Sequence, residues 1–231
     1  MSQERREIQV VVFDVDDTLY PERQFVRDGY CAVADLLRRE LAREDLFEDW
    51  LWRRFLDGQA GGAFDALNEH FHLALDAAAV ARLVECYRFH APTISPFEGI
   101  PALLERLGKT HRLGLLTDGP AQMQKNKVRA LGLTEHFDER LVILTDLLAP
   151  GCGKPSPAGF EMIAERANAA PSACVYVGDN PAKDFVAPNA LGWRTIQYLR
   201  DGQIHAHKPA PAGGEPKFIV KTDEEFLSCL Q

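Results

Sequence analysis

Three carboxylates lie close together directly after an apolar segment near the start of the chain. The segment VVF at 11–13 is followed by Asp14, Asp16 and Asp17. Because successive side chains of an extended chain point to opposite sides, Asp14 and Asp16 are expected to face the same way. Such a pair suits phosphoryl transfer, in which one carboxylate attacks phosphorus and the other gives a proton to the leaving oxygen.

Further polar side chains follow later apolar segments, in places where strands are expected to end. They are Thr117, Asp118, Lys154, Asp179, Asn180 and Asp184. Taken singly, each would be an ordinary turn, cap or surface residue. In open α/β sheets, however, ligands bind outside the carboxyl ends of the strands, so these groups are expected to converge. Convergence from four separate segments favours a single site.

Electrostatics then predicts which cation the site needs. Two unit charges about 4 Å apart interact by roughly 4 kcal/mol at an effective dielectric constant near 20. A phosphate dianion would therefore be repelled by the carboxylates unless a hard divalent cation were bound, and Mg²⁺ is the cation that joins carboxylates to phosphate oxygens. Lys154 would add positive charge. Thr117, with the backbone N–H groups of the helix start after it, would hold the phosphate.

The elements that position these groups follow from hydropathy. Six apolar, β-branched segments are predicted to be strands, at 8–14, 111–118, 140–146, 173–179, 192–199 and 217–221. Helical patterns lie between them at 120–132, 156–171 and 181–192, the last interrupted by Pro188, and a final helix begins with the capping pattern at Thr222. Strands that alternate with helices indicate an α/β fold, a Rossmann-like doubly wound parallel sheet.

One long segment breaks this alternation. From 24 to 90 no strand is indicated, and apolar residues recur at spacings of three and four, which predicts about four amphipathic helices. The segment 91–100, rich in Pro and Gly, is the expected point of return. We therefore predict a core formed by 1–22 and 94–231, with a helical domain inserted at 23–93.

Composition limits the class of protein. The 231 residues are 46% hydrophobic and carry a formal net charge of -8, which argues against general binding of nucleic acid or of an anionic membrane surface. No apolar run reaches the roughly 20 residues of a spanning helix. The charged start MSQERRE lacks the apolar region of a signal peptide. Five scattered cysteines are typical of reduced thiols, so a cytoplasmic location is expected.

Four segments together resemble the motifs of one family. DVDDTL, LLTD, GKPSP and GDNPAKD occur in this order, and they are similar to the four motifs of the haloacid dehalogenase (HAD) superfamily of phosphohydrolases. The resemblance covers the whole chain. It implies that the helical insert is a C1-type cap over the active site. Many family members have Gly where this chain has Asp17, and no role is assigned to that residue.

The resemblance also implies residue roles. Asp14 would be the nucleophile and Asp16 the general acid and base, while Thr117 and Lys154 would bind phosphate and stabilise the intermediate. The expected Mg²⁺ ligands are the carboxylates of Asp14 and Asp179 and the backbone carbonyl of Asp16, with Asp184 acting through water. Asp118 and Asn180, which adjoin Thr117 and Asp179, complete the expected set of substrate-binding residues.

The expected activity is Mg²⁺-dependent hydrolysis of a small phosphorylated metabolite, a sugar phosphate or a nucleoside monophosphate, by a monomer or homodimer. A true 2-haloacid dehalogenase would not need Asp16 as a proton donor. A phosphomutase and a non-catalytic binding or regulatory protein of the same fold remain as alternatives. The segment 205–216, HAHKPAPAGGEP, reads as a solvated loop rather than a metal site formed by His205 and His207.

Overall fold

The computed structural model describes residues 7–231. The charged start of the chain, on which the signal-peptide expectation depends, lies almost entirely outside these residues. The chain divides into two compact units. One comprises the segment that ends at Glu22 together with Ile94–Gln231, and the other is Arg23–Thr93.

The first unit is built on a parallel sheet. Its strands are β1 (Val10–Phe13), β2 (Arg112–Thr117), β3 (Val142–Leu144), β4 (Cys174–Gly178), β5 (Arg194–Tyr198) and β6 (Phe218–Val220). They lie in the order β3-β2-β1-β4-β5-β6, and every neighbouring pair is parallel. The order reverses between β1 and β4, which is where open α/β sheets bind ligands. The Rossmann-like α/β fold class expected from the sequence is confirmed.

The second unit is helical. It contains most of α1 (Glu22–Leu41), together with α2 (Phe47–Leu56), α3 (Ala63–His70) and α4 (Ala77–Phe89). Apolar side chains at spacings of three and four on these helices form their own core, which includes Tyr30, Phe47 and Leu67. The α1 helix packs tightly because Gly29 has no Cβ, and a Cβ there would lie 2.5 Å from the ring of Tyr87.

Five longer helices accompany the strands in the first unit. They are α5 (Ile100–Gly108), α6 (Ala121–Ala130), α7 (Ala158–Ala167), α8 (Val186–Leu191) and α9 (Asp223–Ser228). The sequence pattern did not predict α5. The helix expected from 181 begins only at Val186, and Pro188 lies in its first turn, where no intrahelical N–H bond is lost. Pro188 therefore does not interrupt α8.

Strand alternation divides the core of this unit between the two sides of the sheet. Val10 and Val12 of β1 belong to the cluster formed with Phe160 of α7. Phe13, on the opposite side of the strand, stacks against Phe226 of α9. All four residues of β1 are buried, so the strand that carries the first carboxylates is fixed from both sides. In the described part of the chain, no helix is both long and apolar enough to cross a membrane.

Candidate active site

A buried lysine joins two of the aspartates at the centre of the sheet edge. Asp14 follows β1, and its N–H donates to the carbonyl of Val177 (2.9 Å), which extends the pairing of β1 with β4. The Nζ atom of Lys154 lies 3.0 Å from Oδ1 of Asp14 and 2.8 Å from Oδ1 of Asp184. It also donates to the Tyr176 hydroxyl at 2.8 Å. Burial opposes the charge of Lys154, but Asp14 and Asp184 raise its pKa well above the ordinary value, so it is an ammonium.

Asp179, after β4, completes a cluster of three buried carboxylates. Oxygens of Asp14, Asp179 and Asp184 all lie within 4.8 Å of one another. The backbone N–H of Asn180 donates to Oδ2 of Asp184 (2.9 Å), which fixes that side chain. Gly178 is required here because an added Cβ would lie 2.6 Å from the same oxygen. In contrast, the buried Oδ2 of Asp179 has no hydrogen-bond partner among the described residues.

The charges of this cluster fit a divalent cation. Burial, then repulsion by Asp184 and Asp14, raises the pKa of Asp179 to about 10. Burial, opposed by Lys154 and reinforced by Asp184, raises the pKa of Asp14 to about 6. If all three carboxylates were ionised, one ammonium would leave two negative charges uncompensated, and this repulsion together with burial is why the pKa values of Asp179 and Asp14 are raised. A bound divalent cation would favour the ionised form of these carboxylates, and hard oxygen ligands with one buried oxygen left unbonded suit Mg²⁺.

The end of β2 provides the hydroxyl of Thr117 and the carboxylate of Asp118, which bonds to the segment that carries Lys154. The buried Oγ1 of Thr117 has no hydrogen-bond partner in the described residues, so it is free to bind a ligand. The Asp118 carboxylate accepts from the hydroxyl of Thr145 (2.9 Å) and the N–H of Lys154 (3.1 Å), and its other oxygen lies 3.4 Å from Nζ of Lys183. Asp118 thus holds the Lys154 segment in place, and its contact with substrate stays a prediction.

Asp16 has a different set of partners from Asp14. Its carboxylate accepts from Nζ of Lys127 (2.7 Å), the Tyr20 hydroxyl (2.5 Å) and Nε2 of Gln124 (2.9 Å). Burial alone would raise the pKa of Asp16, but Lys127 and these hydrogen bonds lower it. The side chain is therefore held as a carboxylate, the form that accepts a proton.

The structure thus brings together Asp14, Lys154, Asp179 and Asp184, as the sequence predicts. Asn180 uses its side-chain oxygen for a local bond with the N–H of Ala182 (3.1 Å), and its contact with substrate also stays a prediction.

Sequence reasoning missed several polar residues that support this site, namely Tyr20, Gln124, Lys127, Tyr176 and Lys183. A signal for one pair was present. Gln124 and Lys127 are three residues apart on α6, beside the apolar Val128, so two polar groups occupy the helix face expected to be buried.

The ion pair between the buried Lys127 and the partly buried Asp16 should be important for stability. Removing one partner of a buried ion pair costs about 3–5 kcal/mol, because the other charge is left without compensation. We expect Lys127→Met to lower the free energy of unfolding by about 3 kcal/mol in urea titrations. The control Lys125→Met, at an exposed position of the same helix, should change it by less than about 0.5 kcal/mol. Equal effects of the two substitutions would contradict a stabilising pair.

Fold and site together define a class, the Rossmann-like α/β enzymes with a cluster of acidic residues, able to hold a cation, at the carboxyl ends of the strands. The haloacid dehalogenase-like hydrolase family matches residues 8–192. Since the match includes most of the chain, the protein belongs to this family.

Individual proteins agree with this assignment. A glyceraldehyde 3-phosphate phosphatase of Methanopyrus kandleri is 28% identical, with 97% of each chain covered. A phosphoserine phosphatase of Thermus thermophilus is 28% identical, covering 82% of this chain and 88% of its own. The solved structure of YfnB from Bacillus subtilis, a HAD hydrolase described as bound to magnesium, has a TM-score of 0.70 at 20% identity. The match covers 97% of this chain and 99% of YfnB. That structure supports the fold alone. The expected enzyme class, a phosphoric monoester hydrolase, agrees with the names of both sequence relatives.

Proposed function

We propose that this protein is a Mg²⁺-dependent phosphatase that hydrolyses a small phosphorylated metabolite through an aspartyl-phosphate. The observation that carries the proposal is the buried cluster of Asp14, Asp179 and Asp184 around Lys154, with one carboxylate oxygen of Asp179 left without a partner. The two sequence relatives named as phosphatases of small metabolites support the substrate class.

Asp14 and Asp179, with the backbone carbonyl of Asp16, would hold the cation. When bound, Mg²⁺ supplies the positive charge that lets a phosphate dianion approach these carboxylates. Lys154 contributes a fixed ammonium beside the Asp14 oxygen. Thr117 offers its free hydroxyl to a phosphate oxygen. Asp184 holds Lys154 in position through their 2.8 Å ion pair.

In the first half-reaction a carboxylate oxygen of Asp14 bonds to phosphorus as the bond to the leaving oxygen breaks. Asp16, which must carry a proton when the substrate is bound, gives that proton to the leaving oxygen, and the product alcohol departs. In the second half-reaction water bonds to phosphorus and passes a proton to the Asp16 carboxylate. The bond between phosphorus and Asp14 breaks, which releases inorganic phosphate and regenerates both side chains. The three donors around Asp16 stabilise the ionised state that this second step needs.

The two units are assigned different tasks. All proposed catalytic residues lie in the unit that contains the sheet, so we assign catalysis to 1–22 and 94–231. The helical unit, 23–93, would act as a cap that selects the substrate, as the resemblance to C1-type caps implies. A sugar phosphate or a nucleoside monophosphate is the proposed substrate, and the cytoplasm the proposed location.

The cation requirement is the direct test. Hydrolysis of p-nitrophenyl phosphate should fall about a hundredfold or more when Mg²⁺ is removed by chelation, and it should return when Mg²⁺ is added in excess. Asp179→Asn should raise the Mg²⁺ concentration needed for half-maximal activity, whereas the exposed control Asp65→Asn should leave it unchanged. Full activity in excess chelator would contradict the proposal.

Phosphorus NMR separates the phosphatase from the alternatives. A phosphatase converts a hexose phosphate to inorganic phosphate, whereas a phosphomutase moves the phosphoryl group to another hydroxyl with little release. A non-catalytic binding protein would leave the spectrum of every phosphomonoester unchanged.

A further inference from the structure

Asp17, which the proposed chemistry does not use, connects the first catalytic segment to the loop after β5. One oxygen of its buried carboxylate accepts from the N–H of Glu22 (2.8 Å), and the other accepts from the N–H of Ile204 (2.5 Å). Its backbone carbonyl accepts from Nε2 of Gln203 at 2.6 Å. The backbone of Asp17 is left-handed, with φ of 53°, a conformation that residues other than Gly, Asn and Asp rarely adopt. Asp17 thus fastens the loop to the segment that carries Asp16.

Gln197 also anchors this loop, through a hydrogen bond on the C-terminal side of His205. Nε2 of Gln197, on β5, donates both to the carbonyl of Asp179 (2.8 Å) and to that of Ala206 (2.7 Å). The residues before and after His205 are therefore bound, through Asp17 and Gln197, to the segments that carry the proposed catalytic groups.

These attachments place His205 beside Glu22. Nε2 of His205 lies 3.6 Å from Oε2 of Glu22, and the two side chains are 30% and 26% exposed, so both are accessible to a small ligand. Nδ1 of His205 is buried and has no hydrogen-bond partner in the described part of the chain. The pair therefore has hydrogen-bonding capacity that the protein itself does not use.

We propose that His205, paired with Glu22 and positioned by Asp17, determines specificity by binding a hydroxyl group on the organic part of the substrate. This inference rests on the proposed phosphatase function. In that reaction the leaving oxygen lies at Asp16, and the organic part of the substrate is attached to that oxygen. Because Asp17 follows Asp16 and is bonded to the N–H of Ile204, the organic part would lie near His205. The substrate is accordingly a hydroxylated phosphomonoester, such as a polyol or sugar phosphate, rather than one with a carboxylate at that position.

The chemistry of the pair favours a hydroxyl over a carboxylate. Burial, then repulsion by Asp16, raises the pKa of Glu22 to about 8. Burial and the nearby Lys208 lower the pKa of His205. Both groups are thus uncharged near neutral pH, and a hydroxyl, which both donates and accepts, can bond to either of them. A substrate carboxylate would find no fixed positive charge on this pair.

Kinetics of His205→Ala test the inference, with His207→Ala as the matched control because that side chain is exposed two positions further on. The probes are glycerol 3-phosphate, phosphoglycolate and p-nitrophenyl phosphate. We expect His205→Ala to raise KM for glycerol 3-phosphate about tenfold, the effect of one lost hydrogen bond, with kcat and the aryl phosphate within about twofold. His207→Ala should change none of these values.

Two results would overturn the inference and leave the phosphatase function intact. They are an equal effect of His205→Ala on all three substrates, and no effect on any of them. A wild-type protein that hydrolyses no phosphomonoester would instead overturn the proposed function and, with it, recognition by His205.

The role of Asp17 has a readout that needs no turnover. In Asp17→Asn one carboxylate oxygen is replaced by an NH₂ group, which cannot accept a backbone N–H. Amide hydrogen exchange in 199–208 should therefore become faster, while exchange in β1 and β4 stays slow. Asp201→Asn, at an exposed position of the same loop, is the control. Gln203→Ala, which removes the bond to the Asp17 carbonyl, should loosen the same segment if Asp17→Asn does not fold. Unchanged exchange in the folded variants would show that Asp17 does not fasten the loop.

Discussion

Asp14→Asn should abolish turnover of every phosphomonoester, whereas Asp16→Asn should still be phosphorylated once by an activated aryl phosphate and then stall. The first substitution removes the nucleophile, so no covalent intermediate can form. The second keeps the nucleophile Asp14 in its 3.0 Å contact with Lys154. It removes the group that protonates the leaving oxygen and activates water. A general acid contributes about 10²–10⁴-fold when the leaving oxygen is basic, and far less for a stable phenolate.

Rapid-quench measurement with p-nitrophenyl phosphate distinguishes the two variants. Asp16→Asn should give a burst of about one nitrophenolate per active site and protein-bound phosphate that is released slowly. Asp14→Asn should give neither. Bursts of equal size from both variants would show that Asp14 is not the nucleophile, and the mechanism would have to be abandoned.

The structure adds a control for stability. Because Asp16 pairs with the buried Lys127 at 2.7 Å, Asp16→Asn removes a carboxylate that stabilises this ammonium. The double variant Asp16→Asn/Lys127→Met removes both charges and should recover part of the lost stability. A burst that persists in this double variant would place the defect in proton transfer rather than in folding.

Parallel topology explains why the centre of the site could be predicted. All strands of a parallel sheet end at the same edge, so aspartates that follow β1 and β4 must be neighbours once these strands pair. The apolar runs showed where the strands lie, although β3 has only three residues against seven expected. Hydropathy in turn predicted the four helices of the 23–93 unit, because each buries one face.

Partners that depend on tertiary contacts could not be read in the same way. Lys127 is 111 positions from Asp16, and no local pattern shows that a lysine on α6 neutralises that carboxylate. The same holds for Asp17, whose bonds to residues 203 and 204 cross 186 and 187 positions. The pattern at 205–216 correctly predicts a loop, but composition does not show that its first residues are bound to the catalytic edge.

Lys154→Met should lower kcat/KM about a thousandfold or more, and it should at the same time strengthen binding of the divalent cation. Removing a single preorganised donor from a developing negative charge already costs about 10²–10³-fold. Lys154 supplies a full charge with 1% side-chain exposure, where solvent cannot replace it. Without it the three carboxylates lose their only contacting ammonium among the described residues, so the attraction for a divalent cation increases.

Cation-free Lys154→Met should consequently be less stable than the wild type, since removing one partner of a buried ion pair costs about 3–5 kcal/mol. Mg²⁺ should then raise the melting temperature of the variant by more than it raises that of the wild type, because a ligand that binds only the folded state stabilises it in proportion to affinity. Lys183→Met is the matched control. Its Nζ lies 3.4 Å from Asp118 and its side chain is 36% exposed, so its loss should lower activity about tenfold or less and leave the response to Mg²⁺ unchanged. If Lys154→Met lost its response to Mg²⁺ as well as its activity, Lys154 would be maintaining the shape of the carboxylate cluster rather than opposing its charge, and the assignment of Lys154 as a phosphate-binding cation would be wrong.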